Sequence, residues 1–154
     1  MRQNVSHTNK SLGFTLIELM LSIAVIGLLA GLSLPVYASF NNRNNLDLTT
    51  QSVATLLRRA ETYSRGAKSD SQWGVEIQSS KATLFLGSNF SSRDVTYDEE
   101  VTTPSSIALS SLSEVLFSKL DGMPTTTGSV TVSLTNGVSE TRTITINAKG
   151  VINY

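Results

Sequence analysis

A long uninterrupted run of apolar side chains dominates the N-terminal part of this sequence. The 21 residues at positions 14–34 contain one charged side chain, Glu18. At about 1.5 Å per residue, a helix of this length extends roughly 31 Å, which matches the thickness of the hydrocarbon core of a bilayer. The pattern therefore predicts a transmembrane helix segment over residues 14–34.

The residues that follow show the apolar spacing of an amphipathic helix. After a polar run at residues 41–45, apolar side chains recur about every three or four positions. They are Leu46, Val53, Leu56, Leu57, Ala60, Tyr63 and Ala67. This spacing places them on one face of a helix, and Gly66 and Lys68 provide stop signals. We predict that residues 35–67 continue the N-terminal helix and form the spine of the domain that follows.

Short β-type segments replace the helical pattern after residue 70. The predicted strands are residues 73–78, 82–86, 115–117, 130–134 and 141–146. Apolar and polar side chains alternate clearly in the last two, and Asn136-Gly137 between them is a hairpin signal. We therefore predict an α+β fold in which the long helix packs on an antiparallel sheet, with residues 71–154 as a β-rich ectodomain. Trp73 and Phe85 are expected in its core rather than at a binding surface.

The overall composition does not show that the apolar residues are concentrated near the N-terminus. The 154 residues are 40% hydrophobic and 16% charged with a formal net charge of zero, and they contain no cysteine. The length suits one domain, which must be stabilised by packing because it can form no disulfides.

The 13 residues before the apolar run carry basic charge only. Arg2 and Lys10 stand there without any acidic residue, so the positive-inside rule keeps residues 1–13 cytoplasmic and sends residues 35–154 outward. An ordinary secretory signal ends its apolar region in a small-residue cleavage site. Here the polar leader ends at Gly13 and the apolar run begins at Phe14. Cleavage between them would leave the membrane anchor on the mature protein.

The stretch GFTLIELMLSIAVIGLLAGLSLP at residues 13–35 resembles the class III signal of type IV pilins and type II secretion pseudopilins. The resemblance implies that residues 1–13 are a leader peptide and that a prepilin peptidase cuts after Gly13. It also implies that the new N-terminal Phe14 is N-methylated. Glu18 matches the glutamate that this family needs for assembly into a filament.

An ionisable side chain inside a membrane span usually has a partner. Insertion scales put the cost of a charge at the helix centre at about 2.5 to 3.5 kcal/mol. After cleavage the Phe14 amine is cationic, and methylation leaves it cationic. A Glu18 carboxylate paired with the Phe14 amine of a neighbouring subunit would neutralise both charges. The alternative is that Glu18 lies near the headgroups and snorkels to water.

The segment between Gly27 and Pro35 contains residues that weaken a helix. In related filaments the corresponding segment loses helical structure during assembly, and the spacing here permits the same behaviour. A second interpretation is that the small residues allow close helix packing in lipid. The two interpretations are compatible.

Behind the signal, the chain resembles the GspH/FimT family of minor pseudopilins and minor pilins. The resemblance lies at residues 56–60, 73–75, 115–117, 121–124 and 144–152. It implies a pilin-like α+β fold over nearly the whole chain.

Catalytic chemistry is not expected. The single histidine, His7, lies in the predicted leader, so the mature chain offers neither His nor Cys for a triad or a zinc site. The acidic cluster at residues 98–100 lacks the pattern of an EF-hand and is expected to be a solvated loop. We expect no catalytic residue, no metal and no cofactor.

DNA binding is an alternative function. Some FimT-like proteins bind DNA for natural transformation through arginines around a C-terminal glycine. The matching residues here, 147–152, contain one basic side chain, Lys149, with Arg142 nearby. Residues 35–154 carry 10 Lys and Arg against 11 Asp and Glu. This balance gives no broad attraction for a polyanion, so a DNA contact by Arg142 and Lys149 is not the favoured interpretation.

The leading interpretation is a structural minor pilin or pseudopilin that primes or caps a type IV pilus or a type II secretion pseudopilus. Its implied partners are prepilin peptidase, other pilin or pseudopilin subunits, the inner-membrane assembly machinery and membrane lipid. The expected location is the cytoplasmic membrane, crossed once with the N-terminus inside, and then an extracellular or periplasmic filament. A DNA-binding minor pilin comes second, and a membrane-anchored enzyme or receptor that never polymerises comes third.

Overall fold

The computed structural model describes residues 13–135 and 140–154, and of residues 32–35 it describes the backbone alone. The predicted leader up to residue 12 and the Asn136-Gly137 turn lie outside the described residues. One long helix, α1 at Leu16–Arg65, precedes the strands. The chain divides into two compact units, one that ends at Ser39 and one at Phe40–Tyr154, and α1 contributes to both.

In the second unit, α1 buries the apolar face that its spacing predicts. The buried hydrophobic side chains of the helix are Leu46, Val53, Ala54, Leu56, Leu57 and Ala60. Polar side chains on the other face, including Gln51 and Arg58, are exposed. Most of the stability of such a helix comes from burying an apolar face rather than from intrinsic propensity. The predicted amphipathic helix is confirmed here.

The end of α1 is tied to the first strand. The helix ends at Arg65, and Ala67 adopts the left-handed conformation with a φ of 48°. A short 3-10 helix follows at Lys68–Asp70. The Trp73 N–H then donates a hydrogen bond to the Ser64 hydroxyl oxygen at 2.8 Å. This bond fixes the beginning of the β region against the last turn of the helix.

In the described residues, eight strands form two antiparallel sheets. They are β1 at Trp73–Gln78, β2 at Lys81–Leu86, β3 at Asp94–Thr102, β4 at Ile107–Ser111, β5 at Glu114–Phe117, β6 at Gly128–Leu134, β7 at Thr141–Ile146 and β8 at Ile152–Asn153. One sheet has the order β3-β2-β1-β5 and the other β4-β6-β7-β8, with four strands each. The sheets meet where the Leu109 N–H of β4 donates to the Ser79 carbonyl, in the turn after β1, at 3.0 Å.

The five predicted strands are confirmed within two residues at each end, as β1, β2, β5, β6 and β7. Three strands, β3, β4 and β8, were not predicted, and two sheets replace the single predicted one. The alternation of β6 and β7 is also confirmed, because Val130, Val132, Ile144 and Ile146 are buried.

The acidic cluster at residues 98–100 lies within β3, which corrects the prediction of a solvated loop. Each of its three carboxylates forms one ion pair. Asp98 pairs with Arg93, Glu99 with Arg59 and Glu100 with Lys81. The hydrogen bond from Lys81 lowers the pKa of the Glu100 carboxyl. Arg59 and Glu99 are 40 positions apart. The sequence therefore shows the acidic residues but not the basic side chains that lie beside them in the fold and allow them to occupy a strand.

Strand β3 also carries a long bulge. Leu84 pairs with Glu99 and Leu86 pairs with Asp94, so Phe85 alone stands opposite residues 95–98. A bulge of this kind bends a strand and turns side chains away from the ladder. Val95, within the bulge, is 65% exposed.

The core contains the aromatic side chains that the sequence placed there. Trp73 is 2% exposed, and Phe85 and Phe117 are fully buried. Gly74 makes room for Phe85, since a Cβ at that position would stand 2.7 Å from the Phe85 ring and 2.8 Å from Leu116. The expectation that Trp73 and Phe85 serve the core is confirmed.

Candidate functional site

The start of α1 is fixed by a capping interaction between Thr15 and Glu18. The Thr15 hydroxyl oxygen accepts a hydrogen bond from the Glu18 backbone N–H at 3.3 Å, and the Thr15 carbonyl accepts one from the Leu19 N–H at 3.1 Å. Threonine followed three residues later by glutamate is the sequence pattern of a capping box. Glu18 lies in the first turn of α1, where the helix dipole favours a negative charge. Glu18 therefore contributes its backbone N–H to the cap, and its carboxylate stands at the end of the helix where a negative charge is favoured.

The predicted cleavage junction lies immediately before this cap. Gly13, Phe14 and Thr15 are not helical, and Phe14 is 86% exposed. Apart from its chain neighbours, no described residue has an atom within 4 Å of the position that a Cβ on Gly13 would occupy. A protease could therefore reach the Gly13–Phe14 peptide bond without unwinding the helix.

The N-terminal part of α1 presents its apolar side chains outward. None of the residues in its most apolar 18-residue window is buried, and the mean hydropathy of that window is 2.3. By length and composition this helix could cross a membrane. Soluble monomers rarely expose a contiguous apolar surface of this extent. Lipid or other protein chains must cover it in the cell.

The predicted melting segment lies in the same part of α1. The backbone is helical at Gly27, Gly31 and Pro35. Proline has no N–H, so Pro35 cannot donate to the Gly31 carbonyl and the helix lacks one hydrogen bond there. Each glycine costs about 1 kcal/mol of helix stability relative to alanine. Loss of helical structure between Gly27 and Pro35 stays a prediction.

The structure does not bring the two residues considered for DNA contact together. Arg142 lies near the start of β7 and donates from Nε to Asp47 at 2.9 Å and from Nη2 to Glu140 at 3.3 Å. Lys149 follows the other end of β7, and residues 142–146 alone extend about 13 Å at the usual rise of a strand. Two carboxylates face the single Arg142 guanidinium. Little positive charge is therefore left at Arg142 for a phosphate.

Sequence comparisons point to surface-filament proteins. Residues 8–34 match the family described as the prokaryotic N-terminal methylation motif. A fimbrial protein of Pseudomonas aeruginosa is 33% identical over 98 residues, which cover 58% of this chain and 62% of that protein. The type IV major fimbrial protein FimA of Dichelobacter nodosus is 31% identical over 86 residues, covering 56% of this chain and 54% of FimA. The chain thus spans less than two thirds of the length of these relatives.

A comparison of folds agrees with the sequence matches. The crystal structure of the type IV minor pilin FimU of Pseudomonas aeruginosa superposes with a TM-score of 0.52 over 70% of this chain and 90% of FimU. At 12% sequence identity this likeness shows a shared fold alone. The chain therefore carries the prokaryotic N-terminal methylation motif and is similar to fimbrial proteins over part of its length. The predicted pilin-like α+β fold, a long N-terminal helix on antiparallel strands, is confirmed.

The N-terminal candidate residues of this chain form one short stretch. Gly13, Phe14 and Glu18 lie at the exposed start of the apolar helix. Thr15 was not predicted as a site residue, although its spacing of three residues from Glu18 matches the capping-box pattern. The cleavage, methylation and assembly roles of these residues stay predictions.

Proposed function

We propose that this chain is a minor pilin or pseudopilin of the GspH/FimT kind, which primes or caps a type IV pilus or a type II secretion pseudopilus. The observation that carries the proposal is the coincidence of two N-terminal features. A methylation motif covers residues 8–34, and the apolar helix within it is fully exposed with Glu18 in its first turn. The minor pilin FimU shares the fold.

Processing is the first step of the proposed function. Prepilin peptidase cuts between Gly13 and Phe14, and the Phe14 amine is methylated. Residues 14–34 then hold the protein in the cytoplasmic membrane. The basic residues Arg2 and Lys10 of the leader favour insertion with the ectodomain outside.

Assembly is the second step. The inner-membrane machinery transfers the apolar helix from lipid into the filament, where the helices of other subunits cover it. Glu18 lies about 6 Å along the helix axis from Phe14. A neighbouring subunit that stands slightly displaced along the filament can therefore place its Phe14 amine beside this carboxylate. The pair removes two uncompensated charges from an apolar environment, which would otherwise be costly.

The ectodomain supports a structural role because its surface charges are largely matched within the chain. Examples of such ion pairs are Arg43–Glu140, Arg65–Glu61, Lys81–Glu100, Arg93–Asp98 and Lys119–Asp70. A surface with matched charges has no field of one sign to attract a distant charged ligand. Packing against neighbours of similar shape fits this surface better than capture of a polyanion.

The test of the proposal is recovery of the processed chain from filaments. In a cell that contains prepilin peptidase, filaments sheared from the surface should contain this protein with methylated Phe14 as its first residue, as measured by mass spectrometry of the N-terminal peptide. A Gly13→Leu variant, whose bulkier side chain blocks the junction, should keep its leader and stay in the membrane fraction. Recovery of the wild type only as the full-length membrane protein would contradict the proposal and favour a non-polymerising membrane protein.

DNA binding should be weak. Neutralising Z phosphates gives a slope of about −0.9Z for the logarithm of affinity against the logarithm of salt concentration, so Arg142 and Lys149 together support at most about −2. Gel-shift titration of the full-length protein in detergent should give a dissociation constant above about 1 μM at physiological salt. Tighter binding that is lost in both Arg142→Ala and Lys149→Ala would promote the DNA-uptake function above the structural one.

A further inference from the structure

A row of acidic side chains crosses one face of the sheet of order β3-β2-β1-β5, which we call the first sheet. Glu76 of β1 lies directly opposite Glu114 of β5 on one side and directly opposite Thr83 of β2 on the other. Thr83 in turn lies opposite Glu100 of β3. Side chains that stand directly opposite one another on neighbouring strands share a face. The residues on either side of Glu76 along β1 are buried in the core with α1, so this row lies on the face that points away from the helix.

Glu76 and Glu114, which we call the glutamate pair, stand in the closer of the two arrangements found in an antiparallel ladder. The Ile77 N–H donates to the Ser113 carbonyl at 2.6 Å, so hydrogen bonds join β1 to this side of the sheet at position 77. The next pair along such a ladder is not hydrogen-bonded, and its side chains approach more closely. Like charges directly opposite each other destabilise strand pairing. The glutamate pair therefore opposes the attachment of β5 to β1.

The basic side chains near this row are already engaged. Arg93 donates from Nε to both carboxylate oxygens of Asp98, at 3.0 and 2.8 Å. Its guanidinium also lies 3.7 Å from the centroid of the Phe90 ring. Lys81 donates to the Glu100 carboxylate at 2.7 Å. Within the described residues, no ion pair or side-chain hydrogen bond reaches either carboxylate of the glutamate pair.

Glu76 is also partly withdrawn from water. Phe85 and Leu116 lie on the same face, two positions along β2 and β5 from the residues opposite Glu76, and Phe85 is fully buried. Burial raises the pKa of the Glu76 carboxyl, the charge of Glu114 raises it further, and Arg93 lowers it in part. The balance is a raised pKa, so the folded chain favours the protonated form of this carboxyl.

Protonation of Glu76 supplies a hydrogen-bond donor where the row needs one. Thr83 Oγ1 is buried and has no hydrogen-bond partner in the described part of the chain. It lies near Glu100, whose pKa is lowered by Lys81 and less strongly by Thr83, but the geometry is not that of a hydrogen bond. A neutral carboxyl carries one O–H donor and a carboxylate carries none. Once protonated, Glu76 can donate to the Glu114 carboxylate or to the Thr83 hydroxyl.

β5 is the strand that the repulsion can loosen. It is an edge of the first sheet and pairs with β1 over four residues, of which Glu114 is the first. Val115 and Phe117, which alternate with the outward-facing residues of β5, are fully buried in the core. Two residues, 112–113, connect β5 to β4 of the other sheet. Opening of β5 at Glu114 would therefore expose the core and loosen the connection between the sheets.

We propose that the glutamate pair makes the attachment of β5 to β1 sensitive to pH, because the two carboxylates repel at neutral pH and are joined by a hydrogen bond when they take up one proton. The pKa of Glu76 is raised in the folded chain, so the folded chain binds this proton more tightly than the unfolded chain. The destabilisation by the pair is complete above the raised pKa and disappears as the pH falls through it. This inference goes beyond the proposed filament function and does not depend on it.

Glu76→Gln should stabilise the ectodomain at neutral pH and remove this part of its pH dependence. The melting temperature of the full-length protein in detergent should rise by about 2 to 5 °C at about pH 7 and stay within about 1 °C of the wild type near pH 4, where the wild-type pair holds its proton. Glu114→Gln should behave in the same way. The matched control is Glu100→Gln, which makes the same change in the same row. It removes the ion pair with Lys81, so it should not raise the melting temperature at about pH 7.

The double variant tests the pairing itself. Either single substitution removes the one repulsion, so Glu76→Gln combined with Glu114→Gln should melt within about 1 °C of Glu76→Gln alone. At about pH 7, hydrogen exchange in β5 should be slower in Glu76→Gln than in the wild type, by up to about fivefold, with no change in β7.

Three results would overturn the inference. One is a melting temperature of Glu76→Gln at or below that of the wild type at about pH 7. Another is additive stabilisation by the two substitutions, which would mean that the carboxylates do not interact. The third is a rise in the wild-type melting temperature on addition of calcium chloride at about pH 7 that Glu76→Gln abolishes, since the pair would then bind a metal ion rather than a proton.

Discussion

Glu18→Ala should remove this protein from filaments while membrane insertion stays intact or improves. The substitution takes a costly carboxylate out of the apolar helix, which favours insertion. It also leaves the Phe14 amine of the neighbour without its partner, and an unpaired charge in a buried site costs about 3 to 5 kcal/mol. At about 1.4 kcal/mol per factor of ten, incorporation should fall at least 100-fold. Immunoblots of the sheared and membrane fractions measure the two effects separately.

Two further variants separate the charge of Glu18 from its capping role. Glu18→Gln preserves the capping-box pattern at the third helical position, but it removes the charge. Glu18→Asp keeps the charge on a shorter side chain. If the pairing with Phe14 governs assembly, Glu18→Gln should be as defective as Glu18→Ala and Glu18→Asp should retain part of the activity. Wild-type incorporation of Glu18→Gln would show that assembly does not need the charge of Glu18.

Phe117→Ala should strongly destabilise the ectodomain. Phe117 is fully buried at the end of β5, where it pairs with Trp73 in β1. Truncating a buried phenylalanine costs about 3 to 5 kcal/mol, against a total domain stability of about 5 to 15 kcal/mol. The melting temperature should fall by at least about 10 °C. Circular dichroism of the full-length protein in detergent, followed during heating, measures the change.

Phe40→Ala is the matched control, because it makes the same chemical change at a residue that is 70% exposed in the same compact unit. Its melting temperature should lie within about 3 °C of the wild type, since exposed substitutions change stability by less than about 0.5 kcal/mol. Equal effects of the two substitutions would mean that the core around Phe117 does not determine the stability of the ectodomain.

The strands that could be predicted are those in which the local pattern of apolar and polar residues agrees with the burial in the fold. β1 and β7 have the predicted bounds, and both mix β-branched or aromatic residues with short polar turns at their ends. β8 has two residues, too few for alternation to show. β4 is a serine-rich segment in which only Ile107 and Leu109 are buried. Two such positions make a weak alternation of apolar and polar residues. The division into two sheets depends on which strands pair, and single-strand patterns carry no such information.

β3 was missed for an electrostatic reason. Four acidic residues among nine give it the composition of a loop, since aspartate and glutamate are depleted in strands. The folded chain compensates them with Arg59 from α1, Lys81 from β2 and Arg93 from the preceding turn. These partners are close in space, but two of them are distant in sequence.

The N-terminal candidate residues could be found from the sequence because they are close together in it. The cleavage and assembly residues lie within six positions of one another, so the sequence alone indicates them. The contact between the backbones of Gly122 and Gly150 is by contrast a property of the fold, which no local pattern reveals.

The acidic, bulged strand β3 also bears on how subunits remain soluble when they are crowded. β3 is the edge of its sheet, and the unpaired N–H and C=O groups of an edge strand are a template for aggregation. Charged side chains along an edge strand oppose its pairing with a second copy, and the bulge at residues 95–98 interrupts the straight ladder that such a copy would need. Ectodomains concentrated at a membrane can thus stand side by side without exchanging strands or growing into amyloid-like assemblies.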